Sequence, residues 1–473
     1  MLFRLFYDQQ LAQASYLIGC QATGEGIVVD PTRDIEQYLA AATAEGIRIT
    51  AVTETHIHAD FVSGSRELSA KAQATMYLSN DGPQDWKYAF RSDPLVSLIV
   101  HGTRISIGNI ILEAVHTPGH TPEHMSFLVT DGAASTEPMG ILTGDFVFVG
   151  DVGRPDLLEK AARVSGASDG AARQLFHTIT WFKQLPSHWQ VWPGHGAGSA
   201  CGKGIGAVPQ STVGYELRTN WAMGIDDEQA FVDQVLYGQP EPPAYFGKMK
   251  LVNRDGPRVL GGFPTPQMVG VEELERILDG GGIVVDTRSM EAFTAEHIPR
   301  CLNIPFDRAF ATSAGSIVPY DQDFILLVDG PNLDLAIRSL VMIGLDRVTS
   351  YLDAGGVTAW KESGRRVALV PQMTVNDLNE RVGESPFLLD VRGESEWRGG
   401  HIDTATLIPL PELSRRLDEV PRDRPVLVHC QGGGRSAIAA SLLLAKGWPD
   451  VSNLAGGFSA WLQAGRSVLS SRG

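Results

Sequence analysis

The stretch I-T-A-V-T-E-T-H-I-H-A-D-F, residues 49–61, runs from an apolar β segment into a group of polar side chains. Alternation along an extended backbone points His56, His58 and Asp60 to the same side. Imidazole and carboxylate groups are ligands that suit zinc, iron or manganese. The stretch follows the metal-binding pattern His-x-His-x-Asp-His until its last position, where Phe61 replaces the final histidine. It therefore predicts a metal-binding loop at the end of a strand, altered at one ligand position.

Three more polar side chains follow apolar runs in the first half of the chain. They are His120 in T-P-G-H-T-P-E-H (117–124), Asp145 in I-L-T-G-D-F (141–146) and His195 in V-W-P-G-H-G (191–196). A single histidine of this kind is more often a hydrogen-bonded structural group than a ligand. Several such groups at successive strand ends, in this order after His56, favour a metal site at one edge of a β structure.

This order of motifs resembles the metallo-β-lactamase superfamily over residues 1–240, which implies an αββα sandwich with its metals at one sheet edge. In two-metal members the final histidine of the pattern binds the second metal, and Phe61 has no lone pair to offer there. Within the superfamily the chain is most similar to the persulfide dioxygenases. That resemblance implies one mononuclear Fe(II) held by His56, His120 and Asp145, with open positions for substrate and O₂.

Four other polar residues near this centre are assigned to its surroundings or to a substrate pocket. His58 is either a fourth ligand or a hydrogen-bond partner of a ligand. Asp60 and His195 belong to the weakened second metal position. Cys201 lies in the loop G-A-G-S-A-C-G-K-G (196–204), whose glycines allow it to fold back to the metal edge. For Cys201, a sulfur-holding role, a pocket-lining role and a passive role all stay open.

The second half of the chain contains an internal repeat. I-V-V-D-T-R-S-M-E-A-F-T-A-E-H-I-P (283–299) recurs as F-L-L-D-V-R-G-E-S-E-W-R-G-G-H-I-D (387–403). D-A-G-G-V-T-A-W (353–360) recurs as L-A-G-G-F-S-A-W (454–461). Two copies of about 100 residues, each mixing buried β runs with helical patterns, indicate two similar α/β domains.

The later copy contains the segment V-L-V-H-C-Q-G-G-G-R-S (426–436), which brings a cysteine into a glycine-rich loop. The backbone N–H groups of such a loop, together with Arg435, favour a thiolate or persulfide at Cys430. The remaining residues of this persulfide loop are Gln431, Gly432, Gly433, Gly434 and Ser436. The segment resembles the rhodanese sulfurtransferases over residues 372–473, which implies that Cys430 carries a sulfane sulfur. The spacing Cys-x₄-Arg is one residue shorter than the phosphatase loop Cys-x₅-Arg, which favours sulfur over phosphate.

The earlier copy, residues 262–366, lacks these groups. Asp329 stands opposite Cys430, and Asp334 stands opposite Arg435. Leu335 replaces the serine of the loop. A carboxylate cannot take up sulfane sulfur, so we expect an inactive rhodanese-like domain that acts as a spacer, docking surface or structural partner.

Length and composition are those of an ordinary multidomain protein. With 473 residues the chain is too long for one core, and ~150 residues per domain suggests about three domains. We expect a metal-binding domain over 1–240, a Pro-rich linker over 241–261, an inactive copy over 262–366 and an active copy over 372–473.

Charge and cysteine usage limit the partners and the compartment. The formal net charge of −16 argues against nucleic acid or an anionic membrane as a partner. We see no secretory leader and no apolar run long enough to span a membrane. The four cysteines are far apart, which fits free thiols in the reducing cytoplasm. Assembly into a homo-oligomer stays open.

Together these resemblances predict an α/β multidomain enzyme that oxidises a low-molecular-weight thiol persulfide, such as glutathione persulfide, with O₂ to sulfite and thiol. Cys430 would move sulfane sulfur to or from sulfite or thiosulfate during sulfide detoxification. The carrier thiol and the direction of transfer stay open. The alternatives are a glyoxalase II-like zinc thioester hydrolase fused to rhodanese, and a sulfur-relay or sensing protein that oxidises nothing.

Overall fold

The computed structural model describes residues 1–160, 166–380 and 386–469. The chain divides into two units, one of Met1–Gly262 with Val341–Gly344 and the other of Phe263–Leu340 with Leu345–Gly473. In the described part of the chain, every helix is too short or too polar to traverse a lipid bilayer.

Two mixed sheets form the centre of the first unit. Their strand orders within the described residues are β1-β2-β3-β4-β5-β6 and β12-β11-β10-β9-β8-β7. The strands are β1 (Leu2–Asp8), β2 (Gln13–Cys20), β3 (Glu25–Val29), β4 (Arg48–Thr53), β5 (Thr75–Ser79), β6 (Val96–Ile99), β7 (Arg104–Ile107), β8 (Ile110–His116), β9 (Met125–Asp131), β10 (Gly140–Gly144), β11 (Gln190–Pro193) and β12 (Ser211–Thr212). The helices are α1 (Glu36–Ala44), α2 (Ser65–Ala72), α3 (Leu157–Lys160), α4 (Ala167–Phe182), α5 (Val213–Thr219), α6 (Glu228–Leu236) and α7 (Phe246–Asp255).

Alternating side chains of β3 explain the layers. Val29 packs with Phe127 of the second sheet in the core between the sheets, whereas Val28 packs with Tyr38 of α1 on the outer face. Because both faces of β3 are covered, its last four residues are all buried instead of alternating with exposed ones. Leu175 of α4 lies in the cluster on the outer face of the second sheet. The first unit is therefore the αββα sandwich that the sequence predicts.

Helix α7 lies inside residues 241–261, for which the Pro-rich composition predicts a linker. Phe246 and Met249 are buried, and Asn253 donates hydrogen bonds to the carbonyl oxygens of His58 and Phe61. The apolar residues that follow the prolines thus form a helix that packs in the first unit beside the metal-binding motif.

The second unit contains two parallel sheets with the same strand order, β13-β17-β16-β14-β15 and β18-β22-β21-β19-β20. The strands are β13 (Gln267–Met268), β14 (Ile283–Asp286), β15 (Leu302–Asn303), β16 (Phe324–Val328), β17 (Val348–Asp353), β18 (Gln372–Met373), β19 (Phe387–Asp390), β20 (Ala405–Leu407), β21 (Val426–His429) and β22 (Val451–Leu454). The equal topology confirms that the repeat consists of two similar α/β domains.

Helices cover both sheets of the second unit, so the central strands β16 and β21 are entirely buried. The helices are α8 (Val271–Asp279), α9 (Met290–Ala295), α10 (Phe310–Ile317), α11 (Leu333–Met342), α12 (Gly356–Glu362), α13 (Val375–Glu380), α14 (Glu394–Gly399), α15 (Leu410–Leu413), α16 (Gly434–Ala445) and α17 (Gly457–Gln463). The two copies contact each other, because the Ser441 hydroxyl of α16 accepts a hydrogen bond of 2.9 Å from the N–H of Asn303.

Candidate metal centre and persulfide loop

The strand ends of the first unit bring the predicted polar residues to one edge. The residues and the strands that they follow are His56 after β4, His120 after β8, Asp145 after β10 and His195 after β11. All four side chains are buried. Their separation in sequence is large, and the sandwich topology is what places them together.

His56, His120 and Asp145 form one group whose ligand atoms lie within 4.8 Å of one another. Oδ2 of Asp145 is 3.9 Å from Nε2 of His56 and 3.6 Å from Nε2 of His120. This oxygen is buried and has no hydrogen-bond partner among the described residues. Buried carboxylate oxygens are normally paired or bound to a cation. Two imidazole nitrogens and an orphaned carboxylate oxygen therefore fit a divalent metal ion.

A second layer of contacts orients the two imidazoles. Nδ1 of His56 donates to Oγ1 of Thr55 at 3.0 Å, and that hydroxyl donates to Oδ2 of Asp30 at 2.9 Å. Nδ1 of His120 donates to the carbonyl oxygen of Arg154 at 3.1 Å. With Nδ1 engaged, each ring presents Nε2 to the centre, which is the arrangement that metal-binding histidines use.

His58 lies outside this group of three residues. Its Nε2 is 3.0 Å from Oδ1 of Asp30, the same carboxylate that supports His56 through Thr55. Burial opposes the charged imidazole, but Asp30 outweighs it and raises the pKa of His58 to about 9. The Phe61 ring is buried with its centroid 4.5 Å from that of His58. Of the two roles predicted for His58, the observed contact is the hydrogen bond to a supporting residue.

His195 lies between two carboxylates. Its Nδ1 is 2.7 Å from Oδ1 of Asp145, and its Nε2 is 2.7 Å from Oδ2 of Asp60. Burial again opposes the charge, but Asp145 and Asp60 outweigh it and raise the pKa of His195 to about 10. At the position that the motif predicts for a second metal, both ring nitrogens of His195 therefore meet carboxylate oxygens.

Cys201 joins this second position. Its sulfur groups with ligand atoms of Asp60 and His195, all within 4.8 Å of one another. Burial, followed by the charges of Asp145 and Asp60, raises the pKa of the Cys201 thiol well above its usual value. The loop 196–204 therefore does fold back to the metal edge, and it places a neutral thiol there.

The persulfide loop, residues 430–436, curls around the sulfur of Cys430. The N–H of Gly433 donates to Sγ at 3.1 Å, and the hydroxyl of Ser436 lies 3.4 Å from Sγ and 3.0 Å from the carbonyl oxygen of Gly433. Gly433 has φ of +110°, a conformation that side chains other than glycine rarely adopt. The loop thus places polar N–H and O–H groups against a buried sulfur at the start of α16.

Arg435 is paired with a residue that the motif does not contain. Its Nη1 and Nη2 donate to the two oxygens of Glu396, each at 2.7 Å. On the other side of the loop, Arg392 makes a bidentate pair with Asp390 and reaches Oε1 of Gln431 at 3.3 Å. Both guanidinium groups near the loop therefore have carboxylate partners.

The earlier copy keeps the framework of this site without its chemistry. Asp329 follows β16 as Cys430 follows β21. Arg288 pairs with Asp286 just as Arg392 pairs with Asp390 in the later copy. Met290 of the earlier copy approaches the persulfide loop, since a side chain at Gly433 would meet its sulfur at 3.9 Å. The earlier copy thus borders the loop of the later one.

Reasoning from the sequence missed Asp30, Thr55 and Glu396. Thr55 stands inside the quoted motif and could have been noticed as a neighbour of a ligand. Asp30 ends an apolar run, the same signal that marks Asp145, but its partner role depends on the pairing of β3 with β4. Glu396 carries no local signal, because it meets Arg435 only in the folded domain.

Comparison with known proteins supports both halves of this description. The sequence pattern of the metallo-beta-lactamase superfamily matches residues 9–195, and that of the rhodanese-like domain matches residues 270–363 and 374–464. The crystal structure of a metallo-beta-lactamase from Staphylococcus aureus subsp. aureus COL is 42% identical, with a TM-score of 0.67. The match covers 74% of this chain and 98% of that chain.

Each of the following relatives matches only part of the chain. A sulfurtransferase of Allochromatium vinosum is 32% identical over 107 residues, 22% of this chain and 100% of its own length. A mitochondrial persulfide dioxygenase of Bos taurus is 26% identical over 200 residues, 41% of this chain and 68% of its own. A hydroxyacylglutathione hydrolase of Rhodospirillum rubrum is 29% identical over 180 residues, 38% of this chain and 60% of its own. The chain therefore belongs to the metallo-beta-lactamase superfamily and carries two rhodanese-like domains fused behind its lactamase-like domain.

Proposed function

We propose that the chain oxidises the terminal sulfur of a low-molecular-weight thiol persulfide with O₂ and moves sulfane sulfur at Cys430. In the first reaction RSSH, O₂ and H₂O give RSH and sulfite, with glutathione persulfide as an example of RSSH. The observation that carries the proposal is the group of His56, His120 and Asp145, with the apolar ring of Phe61 next to it in the motif. Two imidazoles and one carboxylate are the ligand set of non-haem iron oxygenases.

Fe(II) bound by these three residues would supply open coordination positions for O₂ and for the persulfide. The protein's own contribution is to fix the ligands. Asp30 acts on His56 through Thr55, and His195 holds the oxygen of Asp145 that does not face the imidazoles. The three ligand residues are buried, and Cys201 lines the same edge as a neutral thiol.

The second reaction takes place at the persulfide loop. The Cys430 thiolate attacks the terminal sulfur of a donor, the donor's S–S bond breaks, and the donor leaves with the bonding electron pair. The N–H of Gly433 and the hydroxyl of Ser436 stabilise the negative charge on sulfur before and after transfer. Sulfite made in the first reaction is a natural acceptor, and fusion raises the effective concentration of such a shared intermediate.

Similarity to a persulfide dioxygenase and to a sulfurtransferase supports this proposal. A second candidate is zinc-dependent hydrolysis of a glutathione thioester. It is favoured by the additional group of Asp60, His195 and Cys201 and by similarity to hydroxyacylglutathione hydrolase. That candidate needs two metals and no O₂, whereas Phe61 counts against a second metal.

The two candidates are distinguished by purifying the protein without oxygen and measuring its bound metal. O₂ uptake and sulfite are then followed after glutathione persulfide is added, and thiol release is followed with S-lactoylglutathione. The proposal expects about one iron per chain, O₂ uptake and sulfite. Zinc with thioester hydrolysis and no O₂ uptake would support the hydrolase instead.

A further inference from the structure

The guanidinium of Arg435 is occupied by the protein's own carboxylate. Both Nη atoms bond to Glu396 at 2.7 Å, in the planar fork that arginine also offers to sulfonate or phosphate oxygens. The other guanidinium beside the loop, that of Arg392, is committed to Asp390. An anionic sulfur donor that approaches Cys430 therefore meets an arginine whose charge is already balanced.

Glu396 is fixed in this position from a second direction. Oε2 accepts a hydrogen bond of 3.0 Å from the N–H of Gly393 at the start of α14. Burial opposes ionisation of this half-buried carboxyl, but the bonds from Arg435 outweigh it and keep its pKa below the usual value. The side chain is thus an ionised, anchored partner of the arginine.

A comparison of the two copies shows that the fold does not require the pair of Glu396 and Arg435. Both copies retain the Asp-x-Arg pair, as Asp286 with Arg288 and as Asp390 with Arg392. The equivalent of Glu396 in the earlier copy is Ala292, and the earlier copy also lacks the cysteine and the arginine of the loop. The fold therefore forms without a glutamate at this position, and the glutamate occurs only together with the reactive loop.

Building on the proposed sulfur transfer at Cys430, we infer that Glu396 is a positioning residue that selects the sulfur donor through Arg435. With thiosulfate as donor, Cys430 attacks the sulfane sulfur, the S–S bond breaks, and sulfite leaves with two negative charges. With a thiol persulfide as donor, the leaving group at the loop is a thiolate with one negative charge. Neutralising Arg435 disfavours the dianion more than the monoanion, so Glu396 favours thiol persulfides over thiosulfate.

The test uses the full-length protein under anaerobic conditions, with cyanide as acceptor and thiocyanate as the measured product. Glu396→Gln keeps an acceptor for the N–H of Gly393 but loses the charge. Glu396→Ala reproduces the residue of the earlier copy and serves as a second variant. Glu394→Gln is the matched control on the same helix, since Glu394 is exposed and pairs with Arg398 instead.

Both Glu396 variants should lower the KM for thiosulfate about fivefold, the size of one partly exposed charge interaction, with kcat and the KM for glutathione persulfide within about twofold. The control should match the wild type. An unchanged or raised thiosulfate KM in both variants would overturn the inference. Thiosulfate-dependent thiocyanate formation that survives Cys430→Ser would instead overturn the proposed transfer at Cys430, so the two failures are distinguishable.

Discussion

Oδ2 of Asp145 lies 3.6 Å from Nε2 of His120 and has no hydrogen-bond partner within the described residues. A buried acceptor without a donor costs about 1–3 kcal/mol, and more when it is charged. Binding of a cation between these atoms removes that cost. We therefore expect metal binding to stabilise the first unit against unfolding.

Replacing His120 with Ala removes one of the three ligand atoms. We expect the iron content, measured by mass spectrometry after anaerobic purification, to fall from about one per chain to below about 0.2. His188→Ala is the control, because His188 is exposed on the same unit. Iron content equal to that of the control would show that His120 does not bind the metal.

Asp30→Asn should weaken metal binding without touching a ligand. The substitution replaces the carboxylate that accepts the hydrogen bond of the Thr55 hydroxyl with a less basic amide. The same hydroxyl contacts Nδ1 of His56, so the imidazole loses part of its support. We expect affinity for Fe(II), measured by competition with a chelator, to drop by about 10–100-fold. Asp226→Asn, at a side chain that is 94% exposed, should leave the affinity unchanged. Equal affinities in the two variants would contradict the supporting role.

Cys430→Ser should separate the two reactions. The serine hydroxyl cannot take up sulfane sulfur, so thiosulfate-dependent thiocyanate formation should vanish, while persulfide-dependent O₂ uptake stays within about twofold of the wild type. Rates of both reactions are measured on the same preparation. Loss of O₂ uptake along with sulfur transfer would show that the two sites are obligately coupled.

Glu123 should make stability depend on pH. Its Oε1 accepts the N–H of Ile57 at 2.8 Å, its Oε2 has no described partner, and burial raises its pKa from 4.5 to about 7. A raised pKa means that the folded state binds the proton more tightly. Stability is therefore lost as the pH rises from about 4.5 through about 7, by about 3 kcal/mol in total.

Glu123→Gln stays neutral and should escape this loss. Urea unfolding midpoints at pH 5 and pH 8 are the measurement, with Glu137→Gln at an exposed position as the control. The wild type and the control should lose more stability between the two pH values than Glu123→Gln does. An identical loss in all three proteins would contradict a buried, protonated Glu123.

The sequence predicted what depends on local order and missed what depends on pairing across the fold. The polar strand ends that include His56, His120 and Asp145 could be predicted because adjacent strand ends meet at one edge, and the resemblance to persulfide dioxygenases selected these three as ligands. Glu396 could not, since it is 39 residues from Arg435 and only the fold of the later copy joins them. Helix α7 was hidden by the prolines before it, although its buried Phe246 and Met249 pack like any core residues.

We propose above that this centre oxidises persulfide sulfur with O₂. Its most direct test is the ratio of sulfite formed to O₂ consumed when glutathione persulfide is added to the iron-loaded Cys430→Ser protein, in which sulfite is not diverted to thiosulfate. We expect a ratio of about one, as the balance of RSSH, O₂ and H₂O against RSH and sulfite requires. Persulfide loss without O₂ uptake or sulfite would contradict it.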